Sequence, residues 1–114
     1  MRYPAHFMAS HGYSEHSHEI EMDEFEVRID GVLWIVYRAS FTMKGANDDS
    51  PCAVSVTFES AENDIGQTVF ETSYMHGKPV TTIGHDIAQA ALVWADKSEY
   101  ISDCYFEAVQ AEND

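Results

Sequence analysis

Glu19-Ile20-Glu21-Met22-Asp23-Glu24-Phe25-Glu26-Val27-Arg28-Ile29 runs into Asp30-Gly31 and then into Val32-Leu33-Trp34-Ile35-Val36-Tyr37. Ile20 and Met22 alternate with acids, the pattern of a strand with one face buried. Phe25, Val27 and Ile29 alternate as well, but one residue out of phase. A β-bulge near Asp23 and Glu24 would bring both sets onto one inward face. Asp-Gly between two such runs is the strongest short signal for a two-residue type I′ hairpin. The return strand extends to about Met43, and its unbroken apolar start implies a central strand covered on both faces.

Outward from this hairpin the chain keeps its strand character. Turn formers crowd Lys44 to Pro51. A third strand then reads Cys52, Val54, Val56 and Phe58 inward, with Ser55, Thr57 and Glu59 outward. Ala61 to Gly66 is a turn, Thr68 to Met75 a fourth strand, and Val80 to Ile83 a possible short fifth. The last third changes period. Ile87, Ala88, Ala91, Leu92 and Ala95 share one helical stripe, broadened by Ala90 and Trp94. Asp96-Lys97-Ser98-Glu99 has capping-box spacing with Asp96 as cap, opening a second helix with Ile101, Tyr105, Ala108 and Val109 on one face. Strands first and helices last define an α+β fold: an antiparallel sheet of four or five strands with two C-terminal helices packed on one face. Residues 1–18 form a polar, His-rich arm, 19–110 a single domain, and 111–114 a frayed acidic tail.

Charge narrows the function. The chain has 114 residues, with 20 Asp and Glu against six Lys and Arg, for a formal net charge of −14. Such a surplus repels nucleic acid and anionic membranes and favours a cationic partner. Residues Met1 to Ser10 hold only Arg2 as a basic residue and no sustained apolar run, so neither a signal peptide nor a membrane span is expected. Cys52 and Cys104 are too few for a disulfide framework and read as reduced core residues of a cytoplasmic protein.

The motif scan favours a binding protein over an enzyme. There is no Gly-rich phosphate loop, nucleophile elbow, H-E-x-x-H or C-x-x-C, and no cofactor is implied. Asp48 and Asp49 sit in a turn-forming loop with no base or nucleophile beside them. Trp34, Tyr37 and Phe41 read as core rather than as a stacking platform. His11, His16 and His18, near Glu15 and Glu19, are the alternative: a metal-binding protein or metal-dependent enzyme, completed by His6, His76 or His85. Against it, the same histidines suit a solvated arm, and paired Cys ligands are lacking.

The leading signal is an acidic strand. Glu19, Glu21 and Asp23 share one face, and past the expected bulge Glu24 and Glu26 continue it. Alternate strand residues stand about 6.6 Å apart, close to the roughly 7 Å between phosphates along one DNA strand. A protein that holds nucleic acid with Lys and Arg would find similar charges here. The ordinary counterpart is a solvated face whose charges keep an edge strand from aggregating. A third reading makes the acidity an adaptation to salt or solubility.

The run from Glu19-Ile20-Glu21 to Phe41, followed by a Pro-bearing loop and Cys52-Ala53-Val54-Ser55-Val56-Thr57-Phe58-Glu59-Ser60-Ala61-Glu62, resembles a loose class of small phage-encoded accessory proteins. In that class an "E-I-E-V … G-x-x-W-x-V" hairpin precedes a Pro-containing loop and an alternating strand. The similarity spans residues 19–65 and carries no catalytic residues. It implies a protein acting on host machinery in the host cytoplasm. Small acidic phage proteins include inhibitors of restriction and CRISPR systems, some of them DNA mimics. The expectation is therefore an inhibitor that blocks a basic nucleic-acid-binding host protein through Glu19, Glu21, Asp23, Glu24 and Glu26, without binding nucleic acid or membrane itself. A homo-oligomer is left open.

Overall fold

The computed structural model describes residues 17–45 and 51–113, with side chains to Ala111. Four strands, β1 (Ser17–Ile29), β2 (Val32–Lys44), β3 (Cys52–Asn63) and β4 (Thr68–Met75), precede two helices, α1 (Ile83–Lys97) and α2 (Glu99–Asn113). The sheet is an antiparallel meander in the order β1-β2-β3-β4. Both helices lie on one face: α1 rests on β3 and β4 and reaches β1, and α2 rests on β1. The fold is α+β.

Local chemistry explains most boundaries. Asp30 (φ 52°) and Gly31 (φ 82°) both take the left-handed region that a type I′ turn requires, so Ile29 pairs directly with Val32. The β3–β4 loop is organised by buried Asn63. Its Oδ1 accepts from the backbone N–H groups of Ile65 (3.1 Å) and Gln67 (2.9 Å), and its Nδ2 donates to Gln67 Oε1 (2.7 Å). Thr82 caps α1 by accepting from His85 N–H, and Asp86 complements the helix dipole in the first turn.

Several expectations are corrected. No fifth strand forms at Val80–Ile83, because Thr82 is already the cap of α1. The cap of α2 is Ser98, whose Oγ accepts from Ile101 N–H at 3.2 Å. Asp96 instead accepts a 2.8 Å bond from Ala53 N–H, tying the end of α1 to the start of β3. The inward residues of β3 are Ala53, Val56 and Phe58, because the β2–β3 register shifts between Thr42 and Met43. Val54 is thereby half-buried, and Cys52 is exposed rather than core. β1 begins at Ser17, so the end of the expected arm belongs to the sheet, and α2 continues through Asn113 where a frayed tail was expected. Residues 1–16 and 46–50 lie outside the described residues, Asp48 and Asp49 among them.

The change of phase in β1 has a different origin from a bulge. Met22 pairs with Ala39 and Glu24 with Tyr37, so the β1–β2 register runs on unbroken and Asp23 stands opposite Arg38. β3 and β4 repeat the pattern. Ala39–Phe58 and Tyr37–Ser60 place Arg38 opposite Glu59, and Phe58–Thr72 and Ser60–Phe70 place Glu59 opposite Glu71. At this row each of the four strands exchanges its inward and outward sets: Met22 to Phe25, Val36 to Ala39, Phe58 to Ala61, Val69 to Thr72. Arg38 (φ 54°) and Glu71 (φ 42°), on alternate strands, take the left-handed region. All four residues of the row are exposed and charged, since a position belonging to neither pleat has no slot in the core.

The core lies between sheet and helices. Phe41, Phe58, Met43, Ile87, Ile101, Val36 and Val56 are its largest fully buried side chains. Phe25 stacks on Trp94 with ring centroids 4.2 Å apart, and Phe41 closes the cluster 5.5 Å from Phe25. Gly84 lets α1 approach β4: a Cβ there would meet Thr72 Oγ1 at 2.8 Å.

Candidate functional site: the sheet face away from α1 and α2

The sheet face opposite the helices carries the acids. Glu19, Glu21, Asp23, Glu24 and Glu26 of β1 are all exposed. The alternation of burial along β1 sets Glu19, Glu21, Glu24 and Glu26 on the side away from Ile20, Phe25 and Val27, while Asp23, at the row of reversal, borders a hollow it shares with Tyr100 of α2. β1 is an edge strand, so this column borders the sheet.

Neighbouring strands widen it. Glu26 pairs with Ile35, which pairs with Glu62; Glu24 pairs with Tyr37, which pairs with Ser60. Glu59 and Glu71 add two carboxylates along the row of strand reversal. The cation of that row is Arg38, whose Nε lies 3.5 Å from Glu59 Oε1 with both side chains largely exposed. Such an exposed pair contributes little stability. A depression of about 520 Å³ lies where β1 and β2 turn over, lined by Glu21, Asp23, Tyr37 and Arg38 among others.

Tyr37 sits inside this patch. It is half-exposed, opposite in phase to buried Trp34 and Val36, and so is not the core residue the sequence implied; Trp34 and Phe41 are core. Leu33 and Ile35 share its exposure, so β2 is central without being covered on its outer face. The Tyr37 hydroxyl is raised above its ordinary pKa by partial burial, then by the charges of Glu62 and Glu24 and a hydrogen bond to Glu62. Strict alternation would have found Tyr37, since a residue one past buried Val36 points outward. Glu62 was missed because Ala61 to Gly66 reads as a turn whereas β3 runs on to Asn63, and Glu71 because its facing depends on the reversal in β4.

The histidines do not converge among the described residues. His18 is half-buried on the helix side of β1, edge-on to the Tyr105 ring at 5.7 Å. His76 lies in the turn after β4 and His85 in the first turn of α1. His6, His11 and His16 lie outside the described residues. Among the described residues no group of three or more His, Cys, Asp and Glu is arranged to hold a metal ion. None of the helices described is long and apolar enough to cross a membrane. Comparison with protein-family models, curated proteins and solved structures gives no match.

Proposed function

We propose that the chain is a small acidic binding protein whose sheet face away from α1 and α2 occupies the basic, nucleic-acid-holding surface of a host protein, as a phage-encoded inhibitor of restriction or CRISPR type would. The observation that carries this reading is the shared exposure of Glu19, Glu21, Asp23, Glu24 and Glu26 on one strand. Glu59, Glu62 and Glu71 on the adjoining strands support it by extending the charge in a second direction. Carboxylates recur about 6.6 Å apart along β1, while across the sheet Glu59 faces Glu71 about 4.8 Å away and Glu26 and Glu62 stand two strands, about 9.6 Å, apart, spacings that suit Lys and Arg side chains set to receive phosphates. Charge complementarity of this kind acts mainly on association rate and selectivity. Tyr37 supplies an aromatic surface within the patch, the residue type on which interfaces most often concentrate their energy.

The test is purification of the partner from the natural host, followed by binding and nucleic-acid competition with defined components. Affinity is expected to fall steeply as salt rises from about 50 to 300 mM. Glu21→Lys with Glu26→Lys should abolish displacement of nucleic acid while leaving the melting temperature nearly unchanged. Inhibition that survives this double substitution at full strength rejects the acidic face as the binding surface.

A further inference from the structure

A hollow of about 540 Å³ lies beside the C-terminal half of β4, away from the acidic edge at β1. Val56, Tyr74, Met75 and Pro79 give it an apolar lining, and Lys78 supplies a cation. Among the described residues no carboxylate lines it, in a chain that has 20 Asp and Glu.

Its walls are tied together. The Tyr74 hydroxyl donates to the Lys78 carbonyl at 2.7 Å, fixing the segment that follows β4. His76 N–H donates to Val54 O at 2.8 Å, anchoring the same segment to β3. The Tyr74 ring packs 5.3 Å from the His85 ring, whose Nδ1 lies 3.2 Å from Thr81 Oγ1. On the sheet side Thr57 and Ser73 hydroxyls meet at 3.3 Å. A concave, mostly apolar site of a few hundred Å³ with a few fixed polar groups is the usual form of a small-molecule site.

We propose that this hollow binds a small amphipathic anion, its apolar body against Met75, Pro79 and Tyr74 and its carboxylate, sulfonate or phosphate at Lys78. Charge selects the occupant. A cationic ligand would bind the acidic outer face in preference; an anion is repelled there, where Arg38 is already paired with Glu59, and is better received at Lys78 beside an apolar wall. The acid column on β1 lies three strands away, about 14 Å, beyond the roughly 8 Å screening length at physiological salt. The site is thus separate from the β1 column, while Glu59 and Glu71, two residues along from Thr57 and Ser73, form its nearer negative boundary.

Two probes of one shape test it: anilinonaphthalene sulfonate, which is anionic, and N-phenylnaphthylamine, which is not. The sulfonate should bind the native chain at one equivalent and shift the amide resonances of Ser73, Met75, Lys78 and Thr81. Lys78→Ala keeps the backbone carbonyl that Tyr74 uses; it should weaken the sulfonate on the order of tenfold, as loss of a charged partner does, and the amine less than twofold. Met75→Glu, at a rim position that is 55% exposed, should repel the sulfonate more than the amine without unfolding the chain. Equal loss of both probes in these variants overturns the anion assignment. Resonance shifts centred on Phe70 and Tyr37 instead, or failure of the native chain to bind either probe, overturns the site itself.

Discussion

Arg38 and Glu59 meet at 3.5 Å on the one row where every strand of the sheet turns over. Their strands stay in register on either side, and the same row continues through Asp23 on β1 and Glu71 on β4. The sheet is therefore two short pleats joined along a charged line. That line brings carboxylates from three strands onto one exposed face.

Glu71 tests the energetics of this row, because its left-handed backbone (φ 42°) strains any residue with a Cβ. Glu71→Gly should stabilise the chain by about 0.5 kcal/mol, the difference between relieving that strain and the added freedom of glycine when unfolded. Glu71→Val should destabilise it by about 1 kcal/mol or more, since a β-branched residue resists that conformation. Urea denaturation of the two variants measures both signs. A valine variant as stable as the parent would show that the row is not held in this geometry.

Two polar contacts near the helix junction differ in kind. Asp96→Ala strands the Ala53 N–H in a part-buried place and should cost about 1–2 kcal/mol. Ser98→Ala removes the cap of α2 and should cost about 1 kcal/mol. If Asp96 were the cap, amide exchange after Asp96→Ala would rise in the first turn of α2. The expected result is a rise at Ala53, with the α2 turn responding to Ser98→Ala.

Gly84 sets the distance between α1 and β4. Gly84→Val drives a branched side chain into Thr72 and Val69, with Thr72 Oγ1 already 2.8 Å from the first added atom. Destabilisation of about 1–3 kcal/mol is expected from overpacking. Thermal melting reads this directly, and Thr72→Ala in the same chain should recover part of the loss.

Tyr37 makes the acidity of the outer face measurable. Its pKa is raised in the folded chain by partial burial, Glu62 and Glu24, so the unfolded chain loses the phenolic proton first, near pH 10. The stabilising contribution of the neutral phenol is therefore complete below that pH and is lost as pH rises through the folded value. Ultraviolet titration should find two of the described tyrosines ionising late: Tyr100, raised chiefly through its hydrogen bond with Cys104, and Tyr37. Glu24→Gln with Glu62→Gln should bring Tyr37 back toward the ordinary range; an unmoved titration would mean the carboxylates do not act on it.

The sequence by itself determined the element types, the Asp30-Gly31 hairpin and the buried stripe of α1. Each rests on chemistry within a few residues: a turn needing positive φ, a period of 3.6, a run of alternating side chains. It also determined that Glu19, Glu21, Glu24 and Glu26 of β1 lie together on one side, since alternation and a single change of phase suffice for that. The tertiary structure decided what depends on neighbours. Asp96 lost its capping role because Ala53, 43 residues earlier, offers a backbone donor in reach. Cys52 left the core because β3 slips against β2 between Thr42 and Met43. Glu62 and Glu71 joined the acidic face because pairing carries β3 on to Asn63 and turns β4 over at Glu71, and a ladder of hydrogen bonds between strands is written in no strand alone.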